Sequence, residues 1–439
     1  MKNYVGVCVA AALVVAPPQA NAQQLLQRAD NRAASATPFD AAAATQAWLA
    51  SVPPEQRAKS DAYFEGGYWL ILWNFLLAVA ISIFLLGSRI SARMRDFAQG
   101  VTRFRSGQVA LYSFGFLAIT SALSLPLNVY QNFLREHQYG MATDSFVQWL
   151  HDACLAFLLL LVLGTILLVA LYAVFRRAPR SWPVWGTIVA TVFGMIGLFV
   201  APIYIEPLFN DYKPISDPAI SAPILAMARA NEIPVSQVFE VDASRRSKRV
   251  GANVAGFLGT MRIALNDNLL RECTLPEIRE VMAHEMGHYV LNHVSKLLLD
   301  GAIATLVGLV LTRVCFDRAV ARWGYKWRVR GIADPAGLPL LTLIISAYLF
   351  LLTPIANTAV RISEREADAF GINTSREPDG MAKVALKLGA YRKLDPTPLE
   401  EFIFFDHPSG RARIRMAMDW KAANLSAGEA EHSSSSSAR

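Results

Sequence analysis

Long apolar runs separated by short polar loops dominate this chain. A helix needs about 20 mainly apolar residues to cross the hydrocarbon core of a bilayer. Six runs approach or exceed that length, and they cover about 68–87, 109–133, 153–175, 184–205, 294–315 and 338–360. The pattern therefore predicts a mainly α-helical polytopic membrane protein, with a four-helix region over 68–205 and a helix pair over 294–360.

A further apolar run lies at the N-terminus. Lys2 precedes it and a small-residue site, Ala20-Asn21-Ala22, follows it, which is the pattern of a secretory signal peptide. The run is also close to the shortest length that spans a bilayer as a helix. Residues 1–22 are thus expected to be either a signal peptide or a first membrane helix. Both alternatives put residue 23 outside the cytoplasm.

The charges of the loops predict an orientation in the membrane. Arginines concentrate in three loops, at 88–108, 176–183 and 316–337. Cytoplasmic loops carry such an excess of basic residues. The segment 206–293 and the part of the chain after 360 are then expected to face the outer side, in agreement with the signal pattern.

Composition narrows the class of protein further. Hydrophobic residues make up 54% of the chain and charged residues 18%, whereas soluble domains hold about 25% charged residues. This excludes an ordinary soluble globule and a disordered chain. The net charge of +7 arises from residues between apolar runs, so it indicates membrane topology and not nucleic-acid binding. The four cysteines include no CxxC pair, which excludes a cysteine zinc knuckle.

The polar segments predict the extramembrane parts. Segment 23–67 is rich in alanine and is expected to be helical and water-facing. Segment 206–293 is the main extramembrane region, in which 235–242 and 252–266 have the composition of strands and precede a helix. It is therefore expected to be a small α+β domain. The serine-rich tail over 421–439 is expected to be disordered.

A zinc-binding motif lies in the helix of this domain. A capping box over 274–277 starts the helix, which then contains an HExxH sequence over 284–288. His284 and His288 are four residues apart, so both lie on one helical face and can hold one zinc ion. Glu285 can accept a proton from water at the metal. The alternative is a helix with two histidines and no metal.

A catalytic zinc needs a third protein ligand and leaves one position open. The candidates are Glu364 and Asp368 in segment 361–420, which lie four residues apart on one helical face. One of them can bind the metal while the other holds a ligand histidine. Glu366 is expected to point elsewhere. On a continuous helix His293 turns away from the metal, so it is expected to be structural or to support a ligand from behind.

Together these motifs resemble those of the type I CAAX prenyl endopeptidases, which are membrane-integrated zinc metalloproteases, and more distantly those of HtpX-like quality-control proteases. Residues 284–293 look like the family's HExGHxxxNH sequence, and 364–368 match its ExxAD element. The resemblance implies one zinc ion per chain, Glu364 as the third ligand and Asp368 as the partner of a ligand histidine. Arg361 matches an arginine that the family carries in a supporting role before that glutamate, whereas the family's adjacent serine is absent.

Two other stretches carry the resemblance. Residues 244–270 are similar to the family's hairpin, whose edge strand binds the substrate backbone, and this implies substrate contacts at Asn253 and Phe257. His407 and Arg413 match its HPxxxxRI element. The match implies a catalytic role for His407 at the substrate or its oxyanion and a substrate contact for Arg413. A turn histidine without such a role is the alternative for His407.

These features predict a zinc metalloendopeptidase in the bilayer that cleaves peptides or proteins, including C-terminal or membrane-protein segments. Because the catalytic side is predicted to face outward, and bacteria generally lack prenylated proteins, the expected setting is the periplasmic side of a bacterial inner membrane. The alternatives are an HtpX-like envelope quality-control protease, a metal-binding scaffold or chaperone without turnover, and a transporter. The presence of Glu285 disfavours the scaffold, and the clustering of charges at one motif disfavours the transporter.

Overall fold

The computed structural model describes residues 39–256 and 261–424, and this part of the chain is mainly helical. Within it, six helices are long and apolar enough to cross a membrane. They are Pro54–Gly87, Arg105–Tyr139, Phe146–Arg177, Trp182–Leu208, His293–Trp327 and Pro335–Ser375. The predicted fold class, a polytopic helical membrane protein with a small α+β domain, is confirmed. The N-terminal run over 1–22 and Phe257 lie outside the described residues.

The long helices are joined by short connections and shorter helices. A π-helical turn, Tyr130–Leu134, joins two segments of the second spanning helix, and the first segment contains Pro126 four residues before the turn. In chain order the helices are α1 (Ala41–Ala50), α2 (Pro54–Gly87), α3 (Ile90–Val101), α4 (Arg105–Val129), α5 (Arg135–Tyr139), α6 (Phe146–Arg177), α7 (Trp182–Val200), α8 (Pro218–Ala230), α9 (Asp267–Glu272), α10 (Leu275–Val290), α11 (His293–Trp327), α12 (Leu338–Ser375), α13 (Pro378–Leu388), α14 (Pro398–Phe404) and α15 (Gly410–Asn424).

Two of the spanning helices extend well past their apolar runs. The helix α2 starts with Pro54 in its first turn and passes through polar residues before it becomes apolar. The helix α12 continues through the charged residues after 360 as far as Ser375. The expected domain boundaries at 67 and 360 therefore fall inside single helices. A change in hydrophobicity marks the edge of the membrane but does not end a helix, and α2 continues even through Gly66 and Gly67.

A four-stranded sheet forms the β part of the extramembrane domain. Its strands are β1 (Tyr212–Pro214), β2 (Val238–Val241), β3 (Ala252–Ala255) and β4 (Arg262–Asn266), in the order β1-β2-β4-β3. The central pair β2 and β4 is parallel, and the outer strands β1 and β3 are antiparallel to their neighbours. The strand β3 is thus an edge strand of this sheet.

The sheet fixes the orientation of α10. Ile263 and Leu265 of β4 are fully buried and share a core with Met282 and Met286 of α10. These methionines are one turn apart, so they define the face of α10 that packs on the sheet. Residues two positions later along the helix lie about 200° away. Consequently α10 presents the face of its HExxH motif to α12 rather than to the sheet.

The C-terminal helices pack around the end of α12. Ile372 of α12, Met381 of α13 and Ile414 of α15 are buried in one core, which α1 completes with Leu49. Residues 421–424 differ from the expected disordered tail, because α15 extends through them. Lys421 is buried there and pairs with Asp379 at 2.9 Å. The remainder of the tail, 425–439, lies outside the described residues.

Candidate metal centre and active site

The helix α10 places the two motif histidines side by side. Its capping box forms as expected, since Glu277 Oε2 accepts hydrogen bonds from Thr274 N at 2.6 Å and from Thr274 Oγ1 at 2.7 Å. One turn of regular helix then separates His284 from His288, and their Nε2 atoms lie 3.1 Å apart. Burial lowers the pKa of His288 to about 4, so this imidazole is neutral and can offer a lone pair.

The second helix that forms the site is α12, which packs closely on α10. Glu364 Oε2 lies 3.4 Å from His284 Nε2, and Glu364 Oε1 lies 3.4 Å from His288 Nε2. One turn later, Asp368 Oδ1 lies 2.9 Å from His284 Nδ1. Asp368 therefore accepts the Nδ1 proton of His284, which leaves Nε2 to face Glu364 and His288. The two acidic residues therefore differ in position, since Glu364 lies beside both Nε2 atoms and Asp368 lies behind His284.

Two glycines permit this close packing. A Cβ atom on Gly287 would lie 3.3 Å from the Cα atom of Ala367, and one on Gly371 would lie 3.2 Å from the Cα atom of His284. Both distances are tighter than ordinary van der Waals contact, and side-chain atoms of Phe370 and Glu280 lie as close to the two positions as these backbone atoms do. The absence of a side chain at both positions therefore lets α10 and α12 pack at this separation.

His293 reaches the site because the helix breaks. The sequence interpretation assumed a continuous helix, but α10 ends at Val290, and Asn292 adopts a left-handed conformation with φ of 55° before α11 begins. This break turns His293 back, so that its Nδ1 lies 2.9 Å from Nδ1 of His288. The assumed rotation away from the metal was wrong.

Glu366 completes a chain of hydrogen bonds from His288 through His293, which we call the relay and which the sequence interpretation missed. Its Oε2 lies 3.0 Å from His293 Nε2, so it accepts the proton on that nitrogen. Nδ1 of His293 is then an acceptor for the Nδ1 proton of His288, which leaves Nε2 of His288 free of hydrogen. Lys296 Nζ pairs with the same Glu366 oxygen at 2.9 Å.

The donor set fits zinc. Bonds of about 2.0–2.1 Å to a tetrahedral zinc separate its ligand atoms by roughly 3.3–3.4 Å, and the three separations among His284, His288 and Glu364 are 3.1, 3.4 and 3.4 Å. Two imidazole nitrogens and one carboxylate are also a ligand set typical of catalytic zinc. Burial would lower the pKa of His284, but hydrogen bonds to Asp368 and Glu364 raise it to about 10. The site therefore attracts positive charge.

Arg413 is part of the support of the two carboxylates. Its Nε lies 2.9 Å from Asp368 Oδ2 and its Nη2 lies 3.1 Å from Glu364 Oε2, with only 8% of the residue exposed. The sequence interpretation gave Arg413 a substrate contact. The contacts that the structure shows are with Asp368 and Glu364, so a substrate role stays a prediction.

His407 lies beside the metal-binding group. Its Nε2 is 3.2 Å from Glu364 Oε2, and its Nδ1 is 2.7 Å from Asp406 Oδ1. Arg361 holds the segment that precedes it, because the guanidinium donates to the carbonyl of Glu401 at 2.8 Å and also to that of Phe405. Arg361 thus contacts the chain that carries His407 rather than a metal ligand.

A cavity of about 160 Å³ opens onto the site and is lined by Glu285, His407 and the start of the β3 region at Val250–Ala252. Burial raises the pKa of the Glu285 carboxyl to about 7. Asn253 lies on β3, and its Oδ1 atom is buried without a hydrogen-bond partner among the described residues. Its substrate contact, like that of Phe257, stays a prediction.

The opposite wall carries a cation that the sequence interpretation missed. Arg392 lines the cavity, and its guanidinium lies 6.0 Å from the centroid of the Tyr391 ring but has no hydrogen bond or ion pair among the described residues. Burial and the nearby charge of Arg413 lower its pKa. An arginine in a connecting loop belongs to no motif, so only the fold identifies it as a residue of this site.

Comparison with known proteins covers most of the chain. A model of peptidase family M48 matches residues 214–421, and a model described as CAAX prenyl protease N-terminal, five membrane helices, matches residues 42–211. The chain is 28% identical over 381 residues to an uncharacterized metalloprotease, YhfN, of Bacillus subtilis, which covers 86% of this chain and 89% of that protein. It is 25% identical over 337 residues to CAAX prenyl protease 1 of Saccharomyces cerevisiae, which covers 72% and 74% of the two chains. The crystal structure of S. mikatae Ste24p shares the fold, with a TM-score of 0.70 at 19% identity over 90% of this chain and 96% of that one.

Proposed function

Because this chain belongs to peptidase family M48 and is an integral-membrane zinc metalloendopeptidase, we propose that its reaction centre is the group of side chains between α10 and α12. In this proposal one zinc ion per chain is held by His284, His288 and Glu364. The observation that supports it most directly is the convergence of three ligand atoms within 3.1–3.4 Å of one another. Asp368 and His293 orient the two imidazoles toward the same point.

Each residue of the site has a separate role in peptide hydrolysis. Zinc held there supplies Lewis acidity, which polarises a peptide carbonyl and makes water a stronger acid. Glu285 accepts the proton of the attacking water and passes it to the departing amine. His407 Nε2 donates a hydrogen bond to the carbonyl oxygen as negative charge develops on it. Arg413 holds Glu364 and Asp368 in place through its ion pairs.

Arg392 supplies a contact for a negatively charged group of the substrate. Arg392 is a half-buried cation with no anionic hydrogen-bond partner among the described residues, and a carboxylate placed against it gains charge-assisted hydrogen bonds. A substrate supplies such a group as an acidic side chain or as the C-terminal carboxylate near the cleaved bond. We assign the C-terminal carboxylate, because the cavity is small and a chain end fits it more readily than a continuing chain.

The orientation of the protein determines which substrates it meets. The arginine-rich loops lie at the ends of the spanning helices opposite the extramembrane domain, and this supports a periplasmic catalytic side in a bacterial inner membrane. Envelope proteins and segments of misfolded membrane proteins are then the proposed substrates. Alkaline phosphatase fused after residue 424 should be active in cells. If only a cytoplasmic reporter is active at that position, the catalytic side faces the cytoplasm and the proposed orientation is wrong.

The experiment for the reaction uses the full chain purified in detergent with a mixed peptide library that includes prenylated peptides. Wild type is expected to bind one zinc ion per chain and to cleave, whereas Glu285→Gln should bind zinc equally and lose at least 100-fold in cleavage rate. The termini of the products, read by mass spectrometry, report the preference for chain ends. The assignment would be contradicted if Glu285→Gln cleaved as fast as wild type, or if purified wild type contained no bound zinc.

A further inference from the structure

A second polar pocket lies at the far end of the membrane region from the metal centre. It has a volume of about 310 Å³ and is lined by Arg105 at the start of α4, Arg176 in the last turn of α6 and Arg330 in the loop before α12. The spanning helix that starts at Arg105 and α6 are joined at their other ends by a loop, and this loop contacts the catalytic domain. There Thr143 N donates a hydrogen bond to the Arg246 carbonyl at 3.1 Å. The spanning helix that starts at Arg105 has 35 residues, which at 1.5 Å per residue is about 50 Å.

The three arginines of this pocket lack anionic partners. None of their guanidinium groups has an ion pair or hydrogen bond among the described residues. Arg105 and Arg176 line the same pocket, so their charges repel each other. Like charges are rarely held together without a counter-charge, because the repulsion is unfavourable wherever the surroundings are partly desolvated.

The acidic residue in the lining does not supply that counter-charge. Asp334 is buried, and its Oδ2 atom already pairs with the buried guanidinium of Arg95 at 2.7 Å. The same oxygen accepts the backbone N–H of Arg330 at 2.9 Å, and Oδ1 accepts that of Ala336 at 3.1 Å. The pocket therefore keeps an excess of positive charge.

The helix α4 adds to this positive potential. Its first residue is Arg105, and the preceding residue, Phe104, provides no side-chain hydrogen bond to the first turn. The N-terminal end of a helix carries a partial positive charge and presents backbone N–H groups. A bound anion would therefore meet both the arginines and the positive end of the helix dipole.

We propose that this pocket binds the phosphate group of an anionic phospholipid. Arginine matches phosphate geometry with paired hydrogen bonds, and three of them surround a volume that holds one headgroup. A lipid is the favoured source because Arg105 and Arg176 terminate membrane-spanning helices, so the pocket lies at the level of the headgroups on the side of the arginine-rich loops. The site would anchor the membrane region at the leaflet opposite the catalytic domain.

The test uses the full chain in nanodiscs of phosphatidylcholine with or without phosphatidylglycerol. The pocket variant combines Arg105→Gln, Arg176→Gln and Arg330→Gln. The control variant combines Arg93→Gln, Arg318→Gln and Arg322→Gln, which remove the same charge from exposed positions on the same side of the membrane. Lipid retained after release from the nanodisc is counted by native mass spectrometry, and the melting temperature is measured in parallel.

Wild type and the control variant are expected to retain phosphatidylglycerol and to melt several degrees higher in its presence. The pocket variant should lose about tenfold or more of that retention, together with the shift in melting temperature. If that variant does not fold, the double variant Arg105→Gln with Arg330→Gln replaces it, since both residues are exposed. Equal losses in both triple variants would show a general charge effect and overturn the proposal. A similar stabilisation by inorganic phosphate in neutral nanodiscs would assign the site to free phosphate instead.

Discussion

His288 is oriented by two further residues in series rather than by one carboxylate. Its partner His293 is 1% exposed, and His293 in turn contacts Glu366, which is half-exposed. His284, in contrast, contacts the buried Asp368 directly. The two imidazoles that we propose as zinc ligands therefore depend on different parts of the fold, and the relay behind His288 can be tested separately.

Replacing His293 by alanine should weaken zinc binding. Loss of its Nδ1 acceptor leaves the tautomer and ring orientation of His288 unfixed, and partners of metal-bound histidines are typically worth about 10–100-fold in affinity. The zinc affinity is measured by titration against a competing chelator. Glu366→Gln should give a smaller loss, because glutamine keeps a hydrogen-bond acceptor for His293. Unaltered affinity in His293→Ala would show that the relay has no part in metal binding.

Replacing Arg392 by glutamine should impair substrates that end close to the cleaved bond. The lost charge-assisted hydrogen bonds should raise KM about tenfold or more for a peptide with a free C-terminal carboxylate, with a smaller change in kcat. The same peptide with a C-terminal amide should be a poor substrate for wild type and change little in the variant. Arg365→Gln, at an exposed position of α12, is the matched control. Equal effects on acid and amide peptides would rule out a carboxylate contact.

At the scale of the helices, the separation of α10 and α12 determines the geometry of the site. Glu364 and Asp368 come from one helix and the histidines from the other, so any increase in separation lengthens both distances from Glu364 to the histidines at once. Gly287 and Gly371 set that separation. Their role is opposite to the usual effect of glycine, which destabilises a helix interior by about 1 kcal/mol relative to alanine.

Gly371→Ala is therefore expected to destabilise the protein despite the better helix propensity of alanine. The new Cβ would lie 3.2 Å from backbone atoms of His284, which cannot move aside as a flexible side chain would. Overpacking of this kind costs about 1–3 kcal/mol, more than the gain in propensity. Both the melting temperature and zinc affinity should fall. Gly301→Ala on α11, where nothing lies within 4 Å, should raise the melting temperature slightly or leave it unchanged.

Local patterns predicted the elements of this protein better than the contacts between them. The apolar runs located six spanning helices, and the spacing of His284, His288, Glu364 and Asp368 predicted helical faces that the structure brings together, because both depend on periodicity along the chain. The position of His293 depends on a left-handed residue at Asn292, which the periodicity does not report. The positions of Arg413 on α15 and of Arg392 in a connecting loop depend on how the chain after α12 returns to the site, so the sequence identified Arg413 without its partners and missed Arg392.

For the molecule as a whole, the protonation of one buried acid connects pH to stability. Glu280 of α10 is 4% exposed and accepts a hydrogen bond from Ser375 at the end of α12. Burial raises the pKa of Glu280 from 4.5 to about 8, so the folded protein binds a proton there that the unfolded chain releases above pH 4.5. The linkage relation then requires that the stability from this group is fully present below about pH 4.5 and is lost as the pH rises toward 8.

Glu280→Gln should remove that dependence, because glutamine keeps the shape and a polar atom for Ser375 but carries no titrating charge. The melting temperatures of wild type and variant are measured in detergent from pH 5 to pH 8. Ionisation of Glu280 should lower the melting temperature of wild type as the pH rises, and the variant lacks this effect. The two curves should therefore diverge, with the variant the more stable at pH 8. Glu55→Gln, at an exposed position of α2, should reproduce the wild-type curve. Parallel curves for Glu280→Gln and wild type would mean that Glu280 is ionised in the folded protein. The junction of α10 and α12 would then hold a buried negative charge, and its counter-charge would have to come from the neighbouring metal centre.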